Sequence, residues 1–279
     1  MNAVIDNIVS SWPRVASVGH WVPSFNEGPE LDFPLSLLPV APEGLEALAE
    51  SERAALALSL WIQYNRRAMD AEEFIANPAI DWLCKRHDLP TAMQLALLQA
   101  AVDERYHTYF HRLALEEALG RCFVDLPVCR SITVRELHAR QAECTEDMQW
   151  QLVQLAYAAV AEVSVNAFLN VLAESPDVRA SNRELVRMHS ADESLHASIF
   201  LEVVTHLREL LDPDDAAFLV AEIRRVRDSF LKHDFSMFES VFDAHGIELE
   251  FENSSTMMTD EMDGADTLIE MVSRPLVRR

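Results

Sequence analysis

AVDERYHTYFH, residues 101–111, and HSADESLHASIF, residues 189–200, contain the same short string. Each reads Asp-Glu-x-x-His: Asp103, Glu104 and His107 in the first, Asp192, Glu193 and His196 in the second. A Glu and a His three residues apart share one helix face, so one cation can take both. The flanking periodicity shows which way the faces point. Leu97, Ala100, Glu104, His107, His111 and Ala114 fall on one helical line, and Leu185, His189, Glu193, His196, Phe200 and Val203 on another. Each line is apolar except in its middle. Burying those acids and imidazoles uncompensated is costly. A pair of divalent cations removes the conflict; a set of buried salt bridges is the competing interpretation.

A di-metal carboxylate centre in a helical bundle takes a lone Glu from each of two helices and Glu-x-x-His from each of the other two. The chain should therefore hold one inward Glu before each motif. Glu162 is the only acid between Gln149 and Ala173, on the stripe Leu155, Ala158, Glu162, Val165, Leu169. The other lone Glu is Glu72 or Glu73. The Glu72 line holds Leu58, Trp61, Asn65, Ala68 and Ile75, whereas the Glu73 line includes Arg66. That favours Glu72. A count favours Glu73, because Glu73 precedes Glu104 by 31 residues and Glu162 precedes Glu193 by 31. Loop lengths need not match, so the stripe carries more weight. Asp103 and Asp192 are expected to accept an imidazole N–H within or across helices.

Working outward, the pattern is helical throughout, with neither strand alternation nor a hairpin signal. Helices are expected from about residue 45 to 83, bent near Asn77-Pro78; from 91 to 119, stopping at Gly120; and from 133 to 144. Others follow from 146 to 174, from the capping box Ser181-Asn-Arg-Glu184 to 211, and from Asp212-Pro213 to about 245. Residues 1–44, rich in Pro and Gly, are read as an irregular arm packing through Trp12, Trp21 and Phe33. Residues 45–250 form the helical-bundle domain and 251–279 a polar tail. The fold class is all-α, a four-helix bundle with additional helices.

Bulk properties narrow the function. The 279 residues are 49% hydrophobic and include only six glycines, which suits a helical globular domain. A net charge of −23 repels phosphate backbones and anionic lipid, excluding nucleic acid as the main partner. The start lacks the basic and apolar regions of a signal peptide, and no stretch is read as a membrane span. Cys84, Cys122, Cys129 and Cys144 form no Cys-x-x-Cys pair, so a zinc knuckle is unsupported and a reducing cytoplasm is expected. Tyr106, Phe110, Asn166 and Phe200 are placed near the metals by helical position alone.

With these residues in view, the chain resembles ferritin-like di-iron carboxylate proteins. His189, one turn before Glu193, narrows the resemblance to the para-aminobenzoate N-oxygenase-like family, with three His and four carboxylates at the metals. YNRRAMDAEEFIANPA, DERYHTYFH, AEVSVNAF and HSADESLH carry it, over about residues 50 to 210. The resemblance implies the ligands Glu72, Glu104, His107, Glu162, His189, Glu193 and His196, with Glu104, Glu193 and His189 closest to the chemistry. It implies two iron ions, O2 as co-substrate and an external electron donor, either a reductase or a small reductant, because no flavin or nicotinamide fingerprint appears. The implied activity is N-oxygenation of the primary amine of a small molecule, through hydroxylamine and nitroso to nitro, in specialised-metabolite biosynthesis by a homodimer. His111 matches no ligand of that family and is read as core or as a support for one. A C–H hydroxylase or desaturase, and an iron-binding ferritin-like protein, are the alternatives.

Overall fold

The computed structural model describes residues 3–25, 30–230, 234–248 and 263–274. Eleven α-helices lie within them: α1 Ala3–Val15, α2 Pro42–Glu46, α3 Glu50–Ala71, α4 Asn77–Cys84, α5 Thr91–Arg121, α6 Ile132–Ala142, α7 Asp147–Glu174, α8 Ala180–Leu210, α9 Pro213–Phe230, α10 Ser236–His245 and α11 Asp263–Ser273. The described residues contain no β-strand, only an isolated bridge between Leu31 and Val178. The long helices pack pairwise, α3 along α5 and α7 along α8, with α5 also meeting α8. That all-α bundle brings the inward lines of four helices onto one axis. Among the described residues, α7 alone is long and apolar enough by length and composition to cross a membrane, but Glu162 interrupts it and most of it is buried against its neighbours.

The bend expected near Pro78 is a π turn, Glu72–Ala76, between α3 and α4. Its cause is local. Pro78 has no N–H to give the Phe74 carbonyl one helical turn back. Gln154 Nε2, reaching across from α7, donates instead to Phe74 O at 2.9 Å and Ile75 O at 2.8 Å. Asn77 Nδ2 donates to Glu72 O at 3.0 Å. The wider turn is thus satisfied, and it begins at the first candidate acid. Single π turns of this kind recur at functional sites.

Several boundaries differ from expectation. The arm over residues 1–44 is not irregular throughout, since α1 buries Ile5 and Ile8 against α5 and α8. The Pro and Gly signals around it obscured a short amphipathic helix that gains stability only by packing. Trp21 meets Phe110 edge-on with centroids 5.5 Å apart, and Phe33 is fully buried. α5 runs through Gly120 to Arg121, whose guanidinium is held by Asp32 at 2.6 and 3.0 Å. Ser181 does not cap α8: Arg179 N donates to Leu31 O at 2.9 Å, which fixes extended backbone at Arg179 and starts the helix at Ala180. Asp212 does cap α9, its Oδ1 accepting from Asp214 N and Asp215 N at 3.0 Å. The single helix expected over 212–245 is two, α9 and α10. Asp234 sits before α10 because its carboxylate accepts from Ser236 N and from the distant Ile132 N. Of the polar tail, residues 251–262 and 275–279 lie outside the described residues; α11 packs on α7, α8 and α9.

Candidate metal centre

Seven side chains from four segments meet in the bundle axis. Glu72 comes from the start of the π turn, Glu104 and His107 from α5, Glu162 from α7, and His189, Glu193 and His196 from α8. All seven are buried, none more than 5% exposed. Glu73, the rival for the first position, is exposed to solvent. Their ligand atoms form two groups, Glu72–His107–His189–Glu193 and Glu104–Glu162–Glu193–His196, in each of which the atoms lie within 4.8 Å of one another. Glu193 belongs to both. Its Oε1 is 3.0 Å from His189 Nε2, 3.3 Å from His107 Nδ1 and 3.6 Å from His196 Nδ1. Glu104 likewise reaches both motif histidines, at 2.6 Å from His196 Nδ1 and 3.5 Å from His107 Nδ1.

The imidazoles are aimed by what lies behind them. The two aspartates work crosswise: His107 Nε2 donates to Asp192 Oδ2 at 3.1 Å, and His196 Nε2 to Asp103 Oδ2 at 3.4 Å. Each ring then turns Nδ1 inward. The arm locks the aspartates in turn. Trp12 Nε1 donates to Asp103 Oδ2 at 2.7 Å, and Ser17 N donates to Asp192 Oδ1 at 3.2 Å. His189 is set by a different chain. Asn65 Nδ2 donates to Trp61 O at 2.7 Å, so Asn65 Oδ1 is the acceptor for His111 Nδ1 at 2.8 Å. His111 Nε2 must then accept from His189 Nδ1 at 2.9 Å. That fixes the His189 tautomer and presents its Nε2 lone pair to Glu72 and Glu193.

Charge in so small a buried volume is strongly perturbed. Burial and the Glu104 charge push Glu72 well above the usual carboxylate range, and burial with Glu193 and Glu104 does the same to Glu162. Burial opposes ionisation of Glu193, yet the His196 charge and the close imidazoles of His107 and His189 hold it well below that range. The two inward Nδ1 atoms, both oxygens of Glu104 and Glu162 Oε2 are buried without a hydrogen-bond partner. Orphaned acceptors converging this closely are what a cation would satisfy. The residues present therefore fit a two-metal group of mixed imidazole and carboxylate ligation.

One cavity of about 420 Å³ reaches the cluster, touching Glu72, Glu162, His189 and Glu193. Its walls are mostly apolar, with Ile75, Val165, Phe168, Leu169 and Phe230 among them. None of Tyr106, Phe110, Asn166 and Phe200 lines it. Helical position placed those four near the metals but could not say on which side the bundle opens. Phe110 packs on Trp21 of the arm and Tyr106 donates to Trp21 O, which closes that side.

The sequence profile of the p-aminobenzoate N-oxygenase AurF family matches residues 28–273. The chain belongs to this family. The match extends well beyond the 50–210 stretch on which the resemblance was first seen. A 4-aminobenzoate N-oxygenase from Streptomyces thioluteus is 28% identical over 97% of this chain and 86% of its own length. Membership makes the chain an oxidoreductase acting on a small-molecule amine. His111, read as core or as a support, is a support; sequence reasoning missed its partner Asn65 and the further supports Trp12, Ser17 and Gln154. Asn65 and His111 were on the inward stripes, so their polarity was a usable signal. Trp12 and Ser17 are brought in by the arm alone and had none.

Proposed function

We propose that Glu72, Glu104, His107, Glu162, His189, Glu193 and His196 hold two iron ions, and that the protein uses O2 to N-oxygenate the primary amine of a small molecule bound in the adjoining cavity. The observation that carries this reading is the pair of ligand groups sharing Glu193, whose buried atoms lack other partners, at the end of a mostly apolar cavity. Two iron ions supply O2 activation and the redox capacity that no side chain here possesses. The chain's own residues do the rest. Glu193 belongs to both groups, and Glu104 lies within reach of both motif histidines. Asp192, Asp103 and His111 hold the three imidazoles in one tautomer each. The apolar walls keep water from the amine and orient a flat substrate with its nitrogen toward Glu72, Glu162 and His189.

The paired helices, each pair giving one lone Glu and one Glu-x-x-His, support a ferritin-like arrangement. Electrons come from an external reductase or a small reductant. The four cysteines are free, in keeping with a reducing cytoplasm. 4-Aminobenzoate, for which the Streptomyces relative is named, is the first amine to assay. The test loads the protein with Fe(II), admits O2 with a reductant and arylamines, and identifies products by mass spectrometry. N-oxygenated products are expected. C–H hydroxylation of the same amines, or no product from an iron-loaded protein, overturns the reading.

A further inference from the structure

Away from the metal cluster, two of the described residues lining the cavity carry charge. Arg67 is the only Lys or Arg among its described lining residues, and Asp234 lines it as well. The two are already paired, Arg67 Nη1 lying 3.1 Å from Asp234 Oδ2. Arg67 Nη2 also donates to Ser236 Oγ at 2.8 Å. Asp234 is fixed from two further directions: Oδ2 accepts from Ile132 N at 2.7 Å, and Oδ1 from Ser236 N at 3.2 Å and from the Ser236 hydroxyl. Burial pushes the Asp234 carboxyl up, but the Ser236 hydrogen bonds and the Arg67 charge outweigh it and hold it below its usual value. Among the described lining residues the far end therefore has its two charges paired, while the cluster end is rich in carboxylates.

We propose that the amine taken by this cavity is uncharged at the end remote from its nitrogen, with Asp234 excluding anionic amines by holding the Arg67 guanidinium. This rests on the N-oxygenase reading of the site. An arylamine carboxylate can reach Arg67 only by displacing Asp234 or by lying beside it. Displacement leaves Asp234 with an unpaired charge in a partly buried wall, and side-by-side placement sets two anions together. A carbonyl or amide oxygen meets neither obstacle. The chain would then differ in substrate charge from its Streptomyces relative, named for an anion.

The deciding pair of probes is 4-aminobenzamide and 4-aminobenzoate, which share ring and amine and differ in remote charge. Their binding to the iron-loaded protein is measured anaerobically by equilibrium dialysis. The amide is expected to bind tighter by about tenfold or more, the scale set by like-charge juxtaposition. D234N should narrow that ratio by a similar factor, by freeing the Arg67 charge for the benzoate. Equal or tighter binding of 4-aminobenzoate to the wild-type protein overturns the inference, as does a folded D234N protein with an unchanged ratio. The wild-type ratio alone decides the matter if D234N does not fold. O2 and reductant are then added to the same samples. N-oxygenation of neither amine defeats the N-oxygenase reading, whereas preferred N-oxygenation of 4-aminobenzoate defeats only the charge rule.

Discussion

Replacing His111 by leucine separates the support of the candidate metal centre from its ligands. His111 and Asn65 are both fully buried, at 0% exposure, and His189 is 4% exposed. The substitution removes the 2.9 Å bond from His189 Nδ1 and the 2.8 Å bond to Asn65 Oδ1. It leaves one donor and one acceptor unpaired in the core, each costing about 1–3 kcal/mol. The extra apolar surface of leucine returns about 1 kcal/mol, so the metal-free protein should lose about 1–5 kcal/mol. The second effect falls on the metal. His189 without its acceptor can rotate or change tautomer, and losing such a support weakens metal affinity by about 10–100-fold. The loss should fall on the group Glu72–His107–His189–Glu193 and spare the group containing His196. Urea denaturation gives the stability, and Co(II) titration followed by absorbance resolves the two affinities. H111Q keeps an acceptor for His189 and a donor for Asn65 and should recover most of both. If H111L binds two equivalents of Co(II) with wild-type affinity, the tautomer argument is wrong.

Other predictions test the surrounding framework. W12F deletes the 2.7 Å bond to Asp103, a bond to a charged acceptor, and should destabilise the protein by about 1–2 kcal/mol in thermal or urea melts. R140A leaves Glu222, 5% exposed, without the guanidinium that holds it at 2.7–3.1 Å, and should cost about 3 kcal/mol by the same measurement. Asp234 is depressed in the folded protein, so its contribution is fully present above the unfolded value of about 3.9 and is lost as pH falls through the folded one. The stability gap between wild type and D234N should accordingly be constant near neutrality and close below about pH 4. Gly264 starts α11 against α7, where an added Cβ would lie 1.8 Å from Val163 O. G264A should therefore loosen α11, read as faster hydrogen exchange along Asp263–Ser273.

How far the sequence could be read depended on whether a residue's meaning was local. The helical stripes needed only a 3.6-residue period, and they put Glu104, His107, Glu162, His189, Glu193 and His196 on inward faces before any tertiary contact was known. The same period put Glu72 inside and Glu73 outside, as they lie in the folded chain. The equal 31-residue spacings pointed the other way. They failed because a π turn and a proline-bearing helix separate Glu72 from α5, while only a short link joins α7 to α8. The −23 net charge spoke for solubility and against polyanions, but it could not show that carboxylates crowd one end of the cavity while Arg67 and Asp234 pair at the other.

What the sequence determined by itself was the all-α class, the doubled Glu and Glu-x-x-His order, and with it the family. These are repeated short-range patterns, and a helix turns spacing directly into direction. What only the tertiary structure decided was everything that depends on two segments distant in the chain. The crosswise Asp103–His196 and Asp192–His107 bonds span 93 and 85 residues, and the Trp12–Asp103 bond spans 91. The Arg67–Ser236 bond beside the cavity spans 169. No local period encodes such contacts. They exist because helix packing closes the chain on itself, and that closure also determined which side of the cluster a substrate can reach.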